Sequence, residues 1–459
     1  MKKGQLEHYQ KKYGSLLVFL VMELLLFTSL NLANYGMLFR YLAILLALAL
    51  IPITILRYKQ EDWLNVSLMF ILPLFAFGVF MAFSPLYFVL QTVVDNIAMV
   101  FSLISFLLIG ISMALNDEFK LDRALAVIVS GLAIILTISL VYTMWRYTFF
   151  YVTRFAGMNL YFDGEAYLIS NEAKWLFGFE FKEVVVSFFS RHGILLTSLL
   201  TGLLFVPFKQ LKKWDLPWII AGGLGLLSLI LLPVFSVFEY AIPAILMALA
   251  LRFLPNTSRI KSITKNTFIA FGALFALAAI FLLLFAFEVP FAVDLVANNA
   301  ILSRVYGNNL VVGYAEVIQA ALQHPFGGFH SIIVNNSFIE STKSAVFDTL
   351  YQGGIFAFLG YLAFLGFSVF HFISYYRFSQ DAKHHKIIIM SFTLTYIFTT
   401  MFQYEYAPFV REDVRIYKTP YFSELILLLV IFFVGYAYEK GRQGKIKNRT
   451  TDVVAQSNF

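Results

Sequence analysis

The chain has 459 residues, of which 60% are apolar, 18% aromatic and only 13% charged, and its mean hydropathy is +0.78. Soluble chains carry about a quarter charged residues, so this composition excludes a water-soluble globular fold, a disordered chain and a nucleic-acid-binding domain. The net charge is +7 and there are no cysteines, which excludes disulfides, thiolate metal sites and a cysteine nucleophile.

The composition predicts an all-α polytopic integral membrane protein. A membrane-crossing helix needs about 20 mostly apolar residues, because its backbone polar groups must be satisfied internally. Runs of that kind begin near Ser15, Leu38, Trp63, Asn96, Ala124, Val184, Leu216, Val234, Thr267, Val346, Ile387 and Tyr421. The first follows a polar segment and leads at once into a second, so it reads as a span and not as a cleaved signal peptide. Residues 1–145 hold the first five predicted helices and 146–183 a long loop. Residues 184–287 hold helices six to nine, 288–345 a second long loop, and 346–438 the last three helices. Residues 439–459 form a polar tail, expected to be disordered from Lys445 onward.

Most of the 34 Lys and Arg residues fall in the amino-terminal segment, the tail and alternate connections. The positive-inside rule therefore places both termini in the cytoplasm and both long loops outside. The basic runs read as flanks of spans. Two long loops on one face predict a functional site at the outer surface of the cytoplasmic membrane.

Ionisable residues within spans are costly and mark candidate sites. Arg191 and His192 lie about two turns into the sixth predicted span from outside, Glu239 about one turn into the eighth, and Asp348 at the outer start of the tenth. Glu405 nears the outer end of the eleventh, and Glu23, mid-span in the first, is the exception. The shared depth predicts a polar cavity opening outward. Structural ion pairing, such as Arg191 with Glu239, is the competing reading of any single residue. An ion relay would spread charges through the whole thickness.

The second long loop is the most informative stretch. It carries Arg304, then a predicted amphipathic helix over residues 309–322, then the turn Pro325-Phe326-Gly327-Gly328 and His330. Gly327 and Gly328 allow close backbone approach to a bound group. Lys343 follows, and Gln352-Gly353-Gly354 opens the apolar part of the tenth span. With Arg146 and Arg154 of the first loop, these cations suit a diphosphate, which guanidinium groups bind in bidentate fashion. Contact with phospholipid headgroups competes as an explanation for Arg146 and Arg154. The aromatic segment 147–162 fits either sugar stacking or an interfacial belt. There is no Walker loop, no His-Glu-x-x-His and no Asp-rich cluster, so no metal and no cofactor are expected. The pair His384-His385 lies in a basic connection and is expected to be solvated.

Arg304 before a short helix ending in His324-Pro325-Phe326-Gly327-Gly328, the stretch Asp348 to Gly354, and Ser190-Arg191-His192-Gly193 resemble the O-antigen polymerase and O-antigen ligase superfamily of membrane glycosyltransferases. Topology carries that resemblance over most of the chain and motifs over about 60 residues. It implies metal-independent transfer of a growing glycan from undecaprenyl diphosphate to another lipid-linked repeat unit, outside the membrane. The product is expected to be a capsule, exopolysaccharide or O-antigen. Arg304 would stabilise the departing diphosphate, with Arg191 and Lys343 in support. His330, Asp348 and Glu239 are the candidate bases for the acceptor hydroxyl, and Arg146, Arg154, His192, Gly327 and Gly328 would contact diphosphate or glycan. The loop histidine of the ligase branch falls on Lys343 when aligned on Gly354, which argues against a ligase. A flippase or transporter remains the alternative, since about twelve spans with both ends inside suit it equally. Expected partners are the bilayer, undecaprenyl-diphosphate-linked oligosaccharides, a chain-length regulator and a flippase, with no nucleic acid.

Overall fold

The computed structural model of the chain describes residues 60–83, 90–116, 119–125, 127–131, 287–299, 309–328, 332–334, 337–339, 344–400 and 420–457. It also describes positions 45, 48, 133, 219–220, 223–224, 244–249, 251, 273, 277, 280–281 and 284–285. These residues are mainly helical. In chain order come α1 (Gln60–Val66), a π-turn (Ser67–Ile71), α2 (Leu72–Ala82), α3 (Leu90–Leu115), α4 (Pro290–Asn298) and α5 (Asn309–Gln323). A two-stranded antiparallel ribbon follows, β1 (Ile332–Val334) and β2 (Ser337–Ile339), with Ile333 opposite Phe338. The remaining helices are α6 (Ala345–Phe378), α7 (Lys383–Thr400) and α8 (Pro420–Ser457). The first predicted long loop lies outside the described residues.

Two stretches, Glu61–Ala82 and Ala345–Phe378, are long and apolar enough to cross a membrane. The first runs unbroken through the π-turn. Pro73 lacks an N–H and its ring would crowd the carbonyl four residues back. Widening the helix just before it relieves that conflict, and the Leu72 N–H bonds the Ser67 carbonyl five residues back.

Each of these two helices has one buried and one exposed apolar face. Val66, Phe70, Leu74, Phe77 and Met81 recur every three or four residues and are all but fully buried. On the other side Leu64, Leu68, Leu72 and Phe75 are 46–59% exposed. On α6 the buried line runs through Ala357, Tyr361, Phe364, Ser368 and Tyr375, and the exposed one through Phe356, Leu359, Phe367 and Phe370. Apolar stripes of this length are rare on soluble monomers and suit a surface that faces lipid.

The buried faces meet. Phe77 stacks on Tyr361 with ring centroids 4.7 Å apart, Phe80 stacks on Phe356 at 4.9 Å, and His371 reaches Met69 Sδ at 3.1 Å. Rising numbers on one helix match falling numbers on the other, so α2 and α6 are antiparallel. Helix α8 runs parallel to α3 and α6: Leu107 packs at Gly435, Ala114 at Gln443, Tyr375 at Gly441 and Phe378 at Gly444.

The α3–α8 crossing is close enough to need glycine on both sides. A Cβ on Gly110 would overlap the Phe432 carbonyl oxygen, and one on Gly435 would overlap that of Leu107. Gly110→Leu is expected to lower stability by about 1–3 kcal/mol, the usual cost of overpacking. Thermal unfolding of the purified chain in detergent would read this as a lower midpoint.

The ends of α1, α3, α6 and α8 are tied by polar contacts. Arg442 grips Glu439 through Nε and Nη2, both at 2.9 Å, and reaches Asp62 through Nη1 at 2.9 Å. Gln443 donates to Glu439 at 3.0 Å, and Lys447 to Gln380 at 3.3 Å. The helical path of α8 through Ser457 corrects the expectation of disorder from Lys445 onward. The polar extension of α8 is anchored to three other segments through Arg442, Gln443 and Lys447. Between α6 and α7, Lys386 Nζ donates to the carbonyls of Tyr376 at 3.1 Å and Ser379 at 2.5 Å. Burial pushes its ammonium pKa below the usual lysine range, against the attraction of Asp381.

Candidate functional site

The site begins where the second long loop does. Helical hydrogen bonding ends with the Val289 N–H on the Leu284 carbonyl and a left-handed Glu288 at φ 51°. Pro290 then starts α4, its fixed φ suiting the first turn. Helix α5 forms over almost the residues its periodicity predicts. Its apolar side, Val317 and Ala321 with Ile318, packs on Leu350, Tyr351, Phe347 and Ile355 of α6.

Beyond α5 the chain turns at Pro325-Phe326-Gly327-Gly328, with positive φ at both glycines, 73° and 106°. This turn docks on a kink inside α6. Gly354 sits at φ 79° and ψ −174°, a backbone region that side chains exclude. The kink interrupts the helical ladder and leaves main-chain groups facing sideways. The Gly328 N–H donates to the carbonyls of Tyr351 at 3.1 Å and Gln352 at 3.0 Å, and the Ile355 N–H donates to the Pro325 carbonyl at 2.8 Å. A Cβ on Gly327 would lie 2.5 Å from both the Gln352 oxygen and the Gly354 nitrogen, and one on Gly354 would overlap the Pro325 oxygen. Phe326 stacks on Phe356 at 5.9 Å, which in turn stacks on Phe80. The turn, the kink and α2 are thereby one connected unit.

Asp348 lies in the first turn of α6, one turn and a half before Gly354, and is 2% exposed. Ser344 caps the amino-terminal end of α6, its Oγ accepting from the Phe347 N–H at 3.4 Å. Thr349 Oγ1 donates to the Ala345 carbonyl at 2.6 Å, and Gln352 Nε2 to Tyr351 Oη at 3.1 Å. Asp348 thus presents a buried carboxyl group at the amino-terminal end of an apolar helix.

Of the site residues singled out in the sequence, the structure describes Asp348, Gly327 and Gly328; the glycine turn docks on α6 about one turn beyond Asp348. Arg304, His330, Glu239, Arg191, His192, Lys343, Arg146 and Arg154 lie outside the described residues. Gly327 donates its N–H to the His324 carbonyl at 2.9 Å and Gly328 donates to α6, so both groups are engaged within the protein. The missing side chain of Gly327 admits the α6 backbone. Phe326, Phe356 and Gly354 are the structural residues that pattern reading did not single out as a unit. The chain matches no family model and no curated protein sequence.

Proposed function

We propose that the protein is a multi-spanning membrane glycosyltransferase that polymerises lipid-linked oligosaccharide repeat units at the outer face of the cytoplasmic membrane. The observation that carries this reading is the docking of the Pro325–Gly328 turn on the Gly354 kink of α6, the helix whose first turn holds buried Asp348. The resemblance that implies polymerase activity rests on topology and on sequence motifs that include the short helix, the glycine turn and the glycine pair.

Membrane geometry supports the placement. Residues 355–378 are about 36 Å long as a helix, enough for a hydrocarbon core of about 30 Å. The part of α6 before the kink then falls at the interface, where a carboxylate and a diphosphate can meet. The relative directions of α2, α3, α6 and α8 suit spans that alternate in direction along the chain. Arg304, with Arg191 and Lys343, would hold the departing diphosphate, and Asp348 is the base best placed to take the acceptor hydroxyl proton. Gly327 and Gly328 fix the turn; Arg146, Arg154 and His192 would contact diphosphate or glycan, and His330 and Glu239 are the other candidate bases.

The test is the surface glycan of a deletion strain, resolved by size, together with its lipid-linked intermediates. The expected result is loss of long chains with single repeat units retained outside on lipid. Complementation with Arg304→Ala or Asp348→Asn should lower polymer output at least a hundredfold, which is about 2.7 kcal/mol of transition-state stabilisation. Repeat units stranded on the inner leaflet would instead mean a flippase.

A further inference from the structure

The first turn of α7 holds a second cluster, at the end of the bundle opposite the Gly354 kink. It corrects the expectation that His384 and His385 are solvated: they are 6% and 8% exposed. Both rings lean onto Asp122, from the segment after α3, with centroids 4.0 Å apart. His385 Nε2 contacts Asp122 Oδ1, and His384 Nε2 stands 3.9 Å from the same oxygen. His384 Nε2 is buried and makes no hydrogen bond.

That last feature is the informative one. A buried ring nitrogen without a hydrogen bond has lost its water and gained nothing in return, so natural folds seldom leave one. Here it points at a carboxylate oxygen and lies beside a second ring nitrogen. One atom from each of Asp122, His384 and His385 falls within 4.8 Å of the other two. Ligands of a tetrahedral zinc ion lie at 2.0–2.1 Å from the metal and so about 3.3 Å apart, and small side-chain rotations reach that spacing.

The geometry points to a divalent transition-metal site formed by Asp122 Oδ1, His384 Nε2 and His385 Nε2, with zinc as the fitting ion. Two imidazoles and one carboxylate suit zinc or its borderline neighbours; calcium and magnesium prefer all-oxygen shells. Three protein ligands leave the fourth position to water. The ion would lower the local cost of His384 burial and pin the segment after α3 to the start of α7. It is a brace remote from Asp348, so it does not depend on the glycosyltransferase reading.

Cobalt(II) is the probe, because tetrahedral coordination gives it intense visible absorption and the chain has no cysteine to supply a competing thiolate site. The full-length chain, purified in detergent without a histidine tag and freed of metal with a chelator, is titrated with cobalt and then with zinc. The expected result is one saturable cobalt equivalent, displaced by zinc, with affinity at least tenfold weaker in His384→Gln and Asp122→Asn. An unsaturable wild-type titration, or equal isotherms for wild type and both variants, overturns the site. Thermal unfolding of the wild type alone provides a check that needs no variant. Saturating zinc should raise its midpoint by several degrees, and no rise overturns the proposal.

Discussion

Gly354→Ala is expected to lower long-chain surface glycan about a hundredfold while the protein stays in the membrane. A side chain at φ 79° and ψ −174° costs about 1–3 kcal/mol in backbone strain alone. The new Cβ also meets the Pro325 oxygen, so the turn must move away from α6. Displacement breaks the bonds from Gly328 and Ile355 that join the two segments, each worth about 1 kcal/mol. A total near 3 kcal/mol corresponds to about two powers of ten when activity needs the docked turn. Gly366→Ala is the matched control, since a Cβ there meets nothing within 4 Å. Complementing a deletion strain with each variant, and comparing sized glycan at equal protein level, reads the difference. Normal polymer from Gly354→Ala would detach the kink from function.

The difference between the two glycines also explains what could be read from sequence. Gly353-Gly354 stood out as a pair at the head of an apolar run, but nothing local distinguishes a kinked helix from a helix start. The distinction depends on Pro325, nearly thirty residues earlier, whose carbonyl occupies the space a side chain would take. Helix α5 was legible because its apolar period and the Pro-Phe-Gly-Gly stop are local signals. Asp348 was legible because a charge beside an apolar run is conspicuous. The histidine cluster was not: 263 residues separate His385 from Asp122, and a basic neighbourhood suggested solvent. The π-turn before Pro73 gave a local cue, a proline inside an apolar run, that hydropathy counting ignores.

The tail shows the same limit with a larger energetic consequence. Its residues look polar and unstructured, yet Glu439 is fully buried and held by Arg442 at two points. Arg442→Met removes the guanidinium that faces Glu439 and Asp62 while keeping much of the side-chain volume. Stripping a buried carboxylate of its cation costs about 3 kcal/mol or more, because desolvation is no longer offset. Unfolding of the purified variant should therefore start at a clearly lower temperature, with α8 fraying first from its carboxy-terminal end. Hydrogen exchange over residues 439–457 would localise the change. The double variant Glu439→Gln, Arg442→Met should recover more than half of the loss, since the neutral amide still accepts from Gln443, which stands 3.0 Å from the carboxylate. Asp62→Asn alone should cost less, because its side chain is 19% exposed and water replaces part of the lost attraction. A double variant as unstable as Arg442→Met would mean that the guanidinium acts through packing and not through its charge.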